Sequence, residues 1–234
     1  MTTEAAIQVR HPKMMLSVLM AGTFTGLFGE TALNMALTNL MSQFSLSAGQ
    51  AQWLVTGYLL TLAVFVPVSA FLVRWFNTRV LILTALCVSL AGCLIAALAP
   101  GFAVLLLGRV IQAVGTGVIL PVMMSAALLI FPVYQRGMVM GMVGIAITLA
   151  PALGPTISGF IITLFSWHAI FWLSALVYAA IILLAVKSIA PIGDITRPRI
   201  DILSLLLSSA GFSGIIYGLA NRWIRRAANS MRPD

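Results

Sequence analysis

FAVLLLGRVIQAVGTGVILPVMMSAALLIF, residues 102–131, is the stretch whose reading decides the fold. It holds one charge, Arg109, in an otherwise apolar run. As a helix it would extend about 45 Å at ~1.5 Å per residue, whereas a bilayer core is roughly 30 Å thick. A run of that length and composition spans a membrane. Its neighbours repeat the pattern: apolar segments lie at about 14–41, 50–73, 80–98, 138–165, 168–187 and 200–220. Breakers separate them at Ser45 to Gln50, Arg74 to Arg79, Pro100–Gly101, Pro132 to Gly137, Ser166 to His168 and Pro191 to Arg199. The expectation is an all-α, polytopic membrane protein with seven spans.

Composition agrees. Of the 234 residues, 61% are hydrophobic and 8% charged, and mean hydropathy is +1.10. A soluble domain usually carries about a quarter charged residues to cover its surface in water, so a water-soluble enzyme or scaffold is excluded. The first apolar segment is far longer than the h-region of a signal peptide. The net charge of +8 does not point to nucleic acid, because the basic residues stand singly or in pairs in short loops. Cys87 and Cys93 share one apolar segment, too far apart along a helix for a mutual disulfide, and read as packing residues.

The basic residues also set orientation. Arg10 and Lys13 precede the first span; Arg74 and Arg79 follow the second, Arg136 the fourth, and Lys187, Arg197 and Arg199 the sixth. The loops after spans one, three and five carry no Lys or Arg. The positive-inside rule then places the N-terminal tail, 1–13, and the loop 188–199 in the cytoplasm of a multi-pass cell-membrane protein. The tail at 221–234 breaks the alternation. It carries Arg222, Arg225, Arg226 and Arg232, yet a seventh span at 200–220 would deliver it outside. Either the seventh helix does not insert stably or the tail is a non-native continuation; the second reading is favoured, and with it the chain as the truncated first half of a longer protein.

Two charges lie well inside apolar spans, Glu30 in the first and Arg109 in the fourth. Such residues are costly in a bilayer and face a protein interior or a watery cavity. Glu30 shares a helix face with Asn34 and Thr38, and Arg109 has Gln112 one turn on, so both helices are expected to present a polar stripe inward. A structural reading makes the two charges a buried pair that fixes helix register. A functional reading makes Glu30 a proton carrier, whose hold on the proton depends on whether Arg109 or a cationic substrate stands beside it. The histidines, His11 and His168, lie far apart in the sequence, so no metal cluster, catalytic triad or phosphate-binding loop is visible, and no enzyme activity or catalytic residue is expected. Spans four and five are rich in Gly and Pro, which suits either tight static packing or helices that slide.

Several motifs resemble the major facilitator superfamily, and within it the fourteen-helix drug:proton antiporters of the lincomycin-resistance type. Gly108-Arg109-Val110-Ile111-Gln112-Ala113-Val114-Gly115-Thr116-Gly117 resembles the family's Arg-x-x-Gln-Gly-x-Gly element, whose arginine the resemblance implicates in proton transfer. Gly141, Gly154-Pro155 and Ser158-Gly159 follow the antiporter signature, with Ala150 and Ser158 in place of glycines. Its Gly-Pro pair is implied to kink the helix and seal the cavity against leak. Gly29-Glu30-Thr31-Ala32-Leu33-Asn34 resembles the subfamily's acidic motif, and Gln52-Trp53-Leu54-Val55-Thr56-Gly57-Tyr58 and Trp167-His168-Ala169-Ile170-Phe171-Trp172 also match. The loop after the second span departs from the family, with Arg74 where an Asp is usual, though Leu72 and Arg79 are kept.

The resemblance implies a six-helix bundle at 14–187 and proton-coupled export of lipophilic drugs, cationic ones included. No cofactor is implied beyond the proton gradient. The expected partners are the bilayer, the substrate, and either a missing C-terminal half or a second copy; nucleic acid is not among them. Met35, Trp53, Tyr58, Met123 and Met124 are candidate cavity residues. A half-transporter acting as a homodimer and a non-transporting membrane partner remain alternatives. Cysteines introduced at Ser45 or Gly101 should react with an impermeant thiol reagent added outside whole cells, and cysteines at Thr78 or Gln135 should not. The reverse pattern would invert the orientation.

Overall fold

The computed structural model describes residues 11–189 and, beyond them, only Gly211, Gly214 and Gly218. Six helices follow in order: α1 (Pro12–Phe44), α2 (Ala48–Trp75), α3 (Thr78–Ala97), α4 (Phe102–Ile130), α5 (Val133–Leu164) and α6 (His168–Ser188). All six are long and apolar enough to cross a membrane. Each answers one of the first six apolar segments. Apart from those three glycines, the seventh span expected at 200–220 lies outside the described residues, as does the basic tail at 221–234.

The turns have local causes. Pro12 opens α1, where its missing N–H costs nothing. Ser45 closes that helix in the left-handed region at φ 52°, and α2 starts on a capping box. There the Ser47 hydroxyl accepts from the Gln50 N–H and the Gln50 side chain accepts from the Ser47 N–H. Asn77 caps α3 by accepting from the Arg79 N–H at 2.9 Å. One boundary differs from expectation: α5 begins at Val133 rather than 138. Gln135 and Arg136 look like loop by polarity, but a helix can run past the apolar layer, and Arg136 Nε donates to the Phe131 carbonyl just before it.

The packing has internal symmetry. α2 lies against α4 as α5 lies against α1, and α3 against α4 as α6 against α1; the α1–α4 and α3–α6 contacts lie at the centre. Exchanging α1–α3 for α4–α6 therefore maps the bundle onto itself. Because each turn reverses direction, α1 and α4 run antiparallel, and the two three-helix units have inverted topology. Two apolar clusters fill the interior. One contains Met15, Leu19, Ile82, Val122 and Met123, the other Leu33, Leu40, Leu54, Leu105 and Phe171. Between them on α1 and α4 lie Gly22–Gly29 and Arg109–Thr116.

The tightest crossing is α3 on α4. A Cβ at Gly108 would stand 2.7 Å from the Ala96 nitrogen and 2.9 Å from the Gly92 carbonyl oxygen, both backbone atoms that cannot yield. Small residues let the two backbones approach this closely. Gly108→Val should therefore cost about 2–3 kcal/mol by overpacking. Gly144→Ala, where a Cβ meets nothing within 4 Å, should be neutral. Thermal unfolding in detergent, followed by circular dichroism, would compare them, and equal midpoints would contradict the crossing.

Candidate functional site

The close approach of α1 and α4 places a charge where no water reaches. Gly22, Gly26 and Gly29 are spaced to share one face of α1, and that face meets α4. A Cβ at Gly26 would run into the Thr116 side chain, and one at Gly29 would lie 3.0 Å from Gln112 Nε2. Removing those side chains brings the Gly29 carbonyl within reach of α4. Arg109, 0% exposed, donates from Nη1 to the Gly29 carbonyl and to Gln112 Oε1, both at 3.0 Å. Its guanidinium carbon lies 4.1 Å from the centre of the Tyr58 ring, in cation–π geometry. The Tyr58 hydroxyl in turn lies 3.0 Å from the Gly26 carbonyl and 3.0 Å from Thr116 Oγ1. Thr116 donates back to the Gln112 carbonyl at 3.2 Å. Among the described residues, Arg109 Nε and Nη2 and Gln112 Nε2 have no hydrogen-bond partner.

Glu30 follows Gly29 directly, yet it is only half-buried and makes no ion pair with Arg109. Asn34 and Thr38, one and two turns on, are exposed. The polar stripe of α1 thus opens outward from the bundle, which corrects the expectation that it points inward. The reason is helical phase: Gly26 and Gly29 take the face toward α4 and Thr31 the face toward α5, leaving residues 30, 34 and 38 on the strip between. Arg109 and Gln112 are inward, as expected.

The other expected residues divide. Met35 is 48% exposed and Met124 36% exposed, and Trp53 is partly buried. Met123 is fully buried in the apolar cluster with Leu19 and Ile82, so it lines no open face. Tyr58 is also fully buried, and it covers Arg109 rather than bordering a cavity. Of the antiporter-motif positions, Gly154 is buried against Thr31 and Ala32 of α1, Gly159 approaches the tip of Met35, and a Cβ at Gly141 would meet nothing. Pro155 lies inside α5, which runs through it as one helix from Val133 to Leu164. Arg79, retained in the altered loop, donates from Nη2 to the Val186 carbonyl at 2.8 Å and ties the start of α3 to the end of α6.

Sequence reasoning missed the α1 glycines and Thr116, although the spacing of Gly22, Gly26 and Gly29 carried the signal. It also missed Gln43, which accepts from Trp167 Nε1 at 2.7 Å and so fastens the end of α1 to the α5–α6 turn.

A Tyr58→Phe change keeps the ring over the guanidinium and removes the hydroxyl, which should cost about 1–2 kcal/mol. Tyr58→Leu removes the ring as well and should cost roughly a further 1 kcal/mol or more. Unfolding of the purified protein in detergent would measure both; equal losses would mean that the ring adds nothing to the arginine.

Comparison with known proteins places this arrangement among transporters. The Major Facilitator Superfamily model matches residues 19–222. The chain is 50% identical over 214 residues to a lincomycin resistance protein, LmrB, of Listeria monocytogenes, a match covering 92% of this chain and 45% of that protein. It is 46% identical over 220 residues to the LmrB of Bacillus subtilis, covering 94% and 46% respectively. The chain thus spans less than half the length of these curated relatives. Among solved structures, the crystal structure of the human organic anion transporter MFSD10 (TETRAN) aligns with a TM-score of 0.67 at 14% identity, over 86% of this chain and 54% of that one. At that identity the likeness concerns the fold.

Proposed function

This chain belongs to the major facilitator superfamily, as a multi-pass membrane protein, and on that premise we propose that it forms the N-terminal half of a proton-coupled exporter of lipophilic drugs. The N-terminus is cytoplasmic in this reading, as the lysine and arginine placement favours. The relatives' names as lincomycin resistance proteins support the substrate class. The C-terminal portion of their length that this chain does not match would supply the other wall of the cavity.

The observation that carries the reading is the position of Glu30. It is the one acid among the described residues, half-buried on a strip that leaves the bundle, and it adjoins the residue whose carbonyl holds Arg109. Glu30 takes up a proton from the cavity side and releases it when the cavity turns. Arg109 supplies the fixed positive charge against which the carboxylate is balanced. Asn34, Thr38 and Met35 continue the strip and contact substrate, with Met124 and Trp53 as further lining residues. The antiporter motif of α5, Gly141 to Gly159, belongs to the same cavity wall.

Glu30→Gln in the complete transporter, reconstituted in proteoliposomes, should abolish export driven by a pH gradient while drug binding survives within a few-fold. A proton descending 100 mV supplies about 2.3 kcal/mol, so its loss would remove a readily measured drug gradient. Full gradient-driven export by the variant would assign coupling to another residue.

A further inference from the structure

The crossing of α1 and α5 falls one residue from the acid. A Cβ on Gly154 would collide with Thr31 Oγ1 and stand 3.0 Å from Thr31 Cβ and 3.3 Å from the Ala32 nitrogen. Thr31 cannot easily turn aside, because its hydroxyl donates back to the carbonyls of Phe28 and Leu27, at 3.3 and 3.5 Å. The contact is therefore backbone against a tethered side chain. It is the tightest glycine contact of α5: Gly137, Gly141 and Gly144 have nothing within 4 Å, and Gly159 only the flexible end of Met35 at 3.9 Å. A second tie holds the same two helices at their far end, where Trp167, just beyond α5, donates to Gln43 of α1. α1 and α5 are thus fixed to each other at Thr31 and again at Gln43.

From this geometry we propose that Gly154 is a positioning residue for Glu30, holding it through Thr31 at its place next to Gly29, whose carbonyl binds Arg109. This rests on the reading of Glu30 as the coupling acid and extends it to a residue of α5 that touches neither charge. Among the described residues, Arg109 from α4 and Tyr58 from α2 are the ionisable groups that donate to the α1 turn just before the acid, at the carbonyls of Gly29 and Gly26. The middle of α5, from Gly137 to Leu164, contains no titratable residue, so α5 can act on Glu30 only through position.

The test uses the 234-residue chain in lipid nanodiscs, with protonation of Glu30 followed by its infrared carboxyl band as pH is varied. Gly154→Ala should move the midpoint by about half a pH unit or more, roughly threefold in the acid constant. Gly141→Ala and Gly144→Ala should leave it in place. Thr31→Gly, which removes the atoms that the new methyl would strike, should bring the Gly154→Ala midpoint back toward that of the parent. Should Gly154→Ala fail to fold, Thr31→Ala decides alone: it demands no new space and loosens the same contact, so it too should move the midpoint. A folded Gly154→Ala protein, or a folded Thr31→Ala protein, whose Glu30 midpoint matches the parent's would overturn the proposal. This readout is independent of transport. If Glu30→Gln proved fully coupled, the function assigned to Glu30 would fall, while the positional link to Gly154 would still be decided by the titration.

Discussion

A guanidinium with no exposed surface constrains this bundle more than any other group. Burying a charge without partners is expensive, and the cost falls only if neighbouring helices bring acceptors to it. Arg109 obtains the Gly29 carbonyl from α1, Gln112 from its own helix and a π face from Tyr58 of α2. The Gly29 carbonyl comes within reach only because the α1 and α4 backbones lie closer than ordinary side chains permit. Gly26 and Gly29 thin α1 where it meets α4, and Gly92 and Gly108 thin the α3–α4 crossing behind it. The glycines, the tyrosine and the arginine therefore form one requirement, not three.

The internal symmetry assigns the two charges to different helix pairs. α1 packs extensively on α5, and α4 on α2. Glu30 belongs to the first pair; Arg109 and its tyrosine cover belong to the second. The pairs meet along Gly22–Gly29 and Arg109–Thr116, a seam of glycines and short polar side chains. Ionic attraction across a seam of this kind changes steeply with small displacements where the dielectric is low. Movement of one pair against the other would thus be felt at the acid, and a change of charge at the acid would be felt by the pairs.

The six spans were legible because hydropathy over some twenty residues is a strong signal, and Arg109 stood out as a charge within such a run. Helical phase was much less so. These helices are apolar nearly all round, so no hydrophobic stripe marks which face turns inward. Met123 and Met124 differ by one residue and about 100° of rotation, and one is sealed in the core while the other is partly open. The same ambiguity put Tyr58 in a cavity and turned the Glu30 stripe inward. Glycine spacing would have resolved it: Gly22, Gly26 and Gly29 identify the α4-facing side of α1, from which the outward place of Glu30 follows. The start of α5 was missed for another reason, because polar residues at a helix end in the interfacial layer look like loop.

The glycines of α5 carry the same lesson into mechanism. By sequence they form one motif, and composition could not say whether they serve packing or motion. The structure divides them: Gly154 is in close contact with α1, whereas among the described residues a Cβ at Gly141 or Gly144 would meet nothing within 4 Å. A glycine with no neighbour gains nothing from its small size within this chain, while one pressed against Thr31 is required by it. Glu30 occupies the matching boundary on α1. Completely buried, it could not exchange a proton with a cavity; completely exposed, water would screen it from Arg109. In the proposed coupling role, a half-buried carboxyl one residue from the carbonyl that binds a buried cation can respond to both.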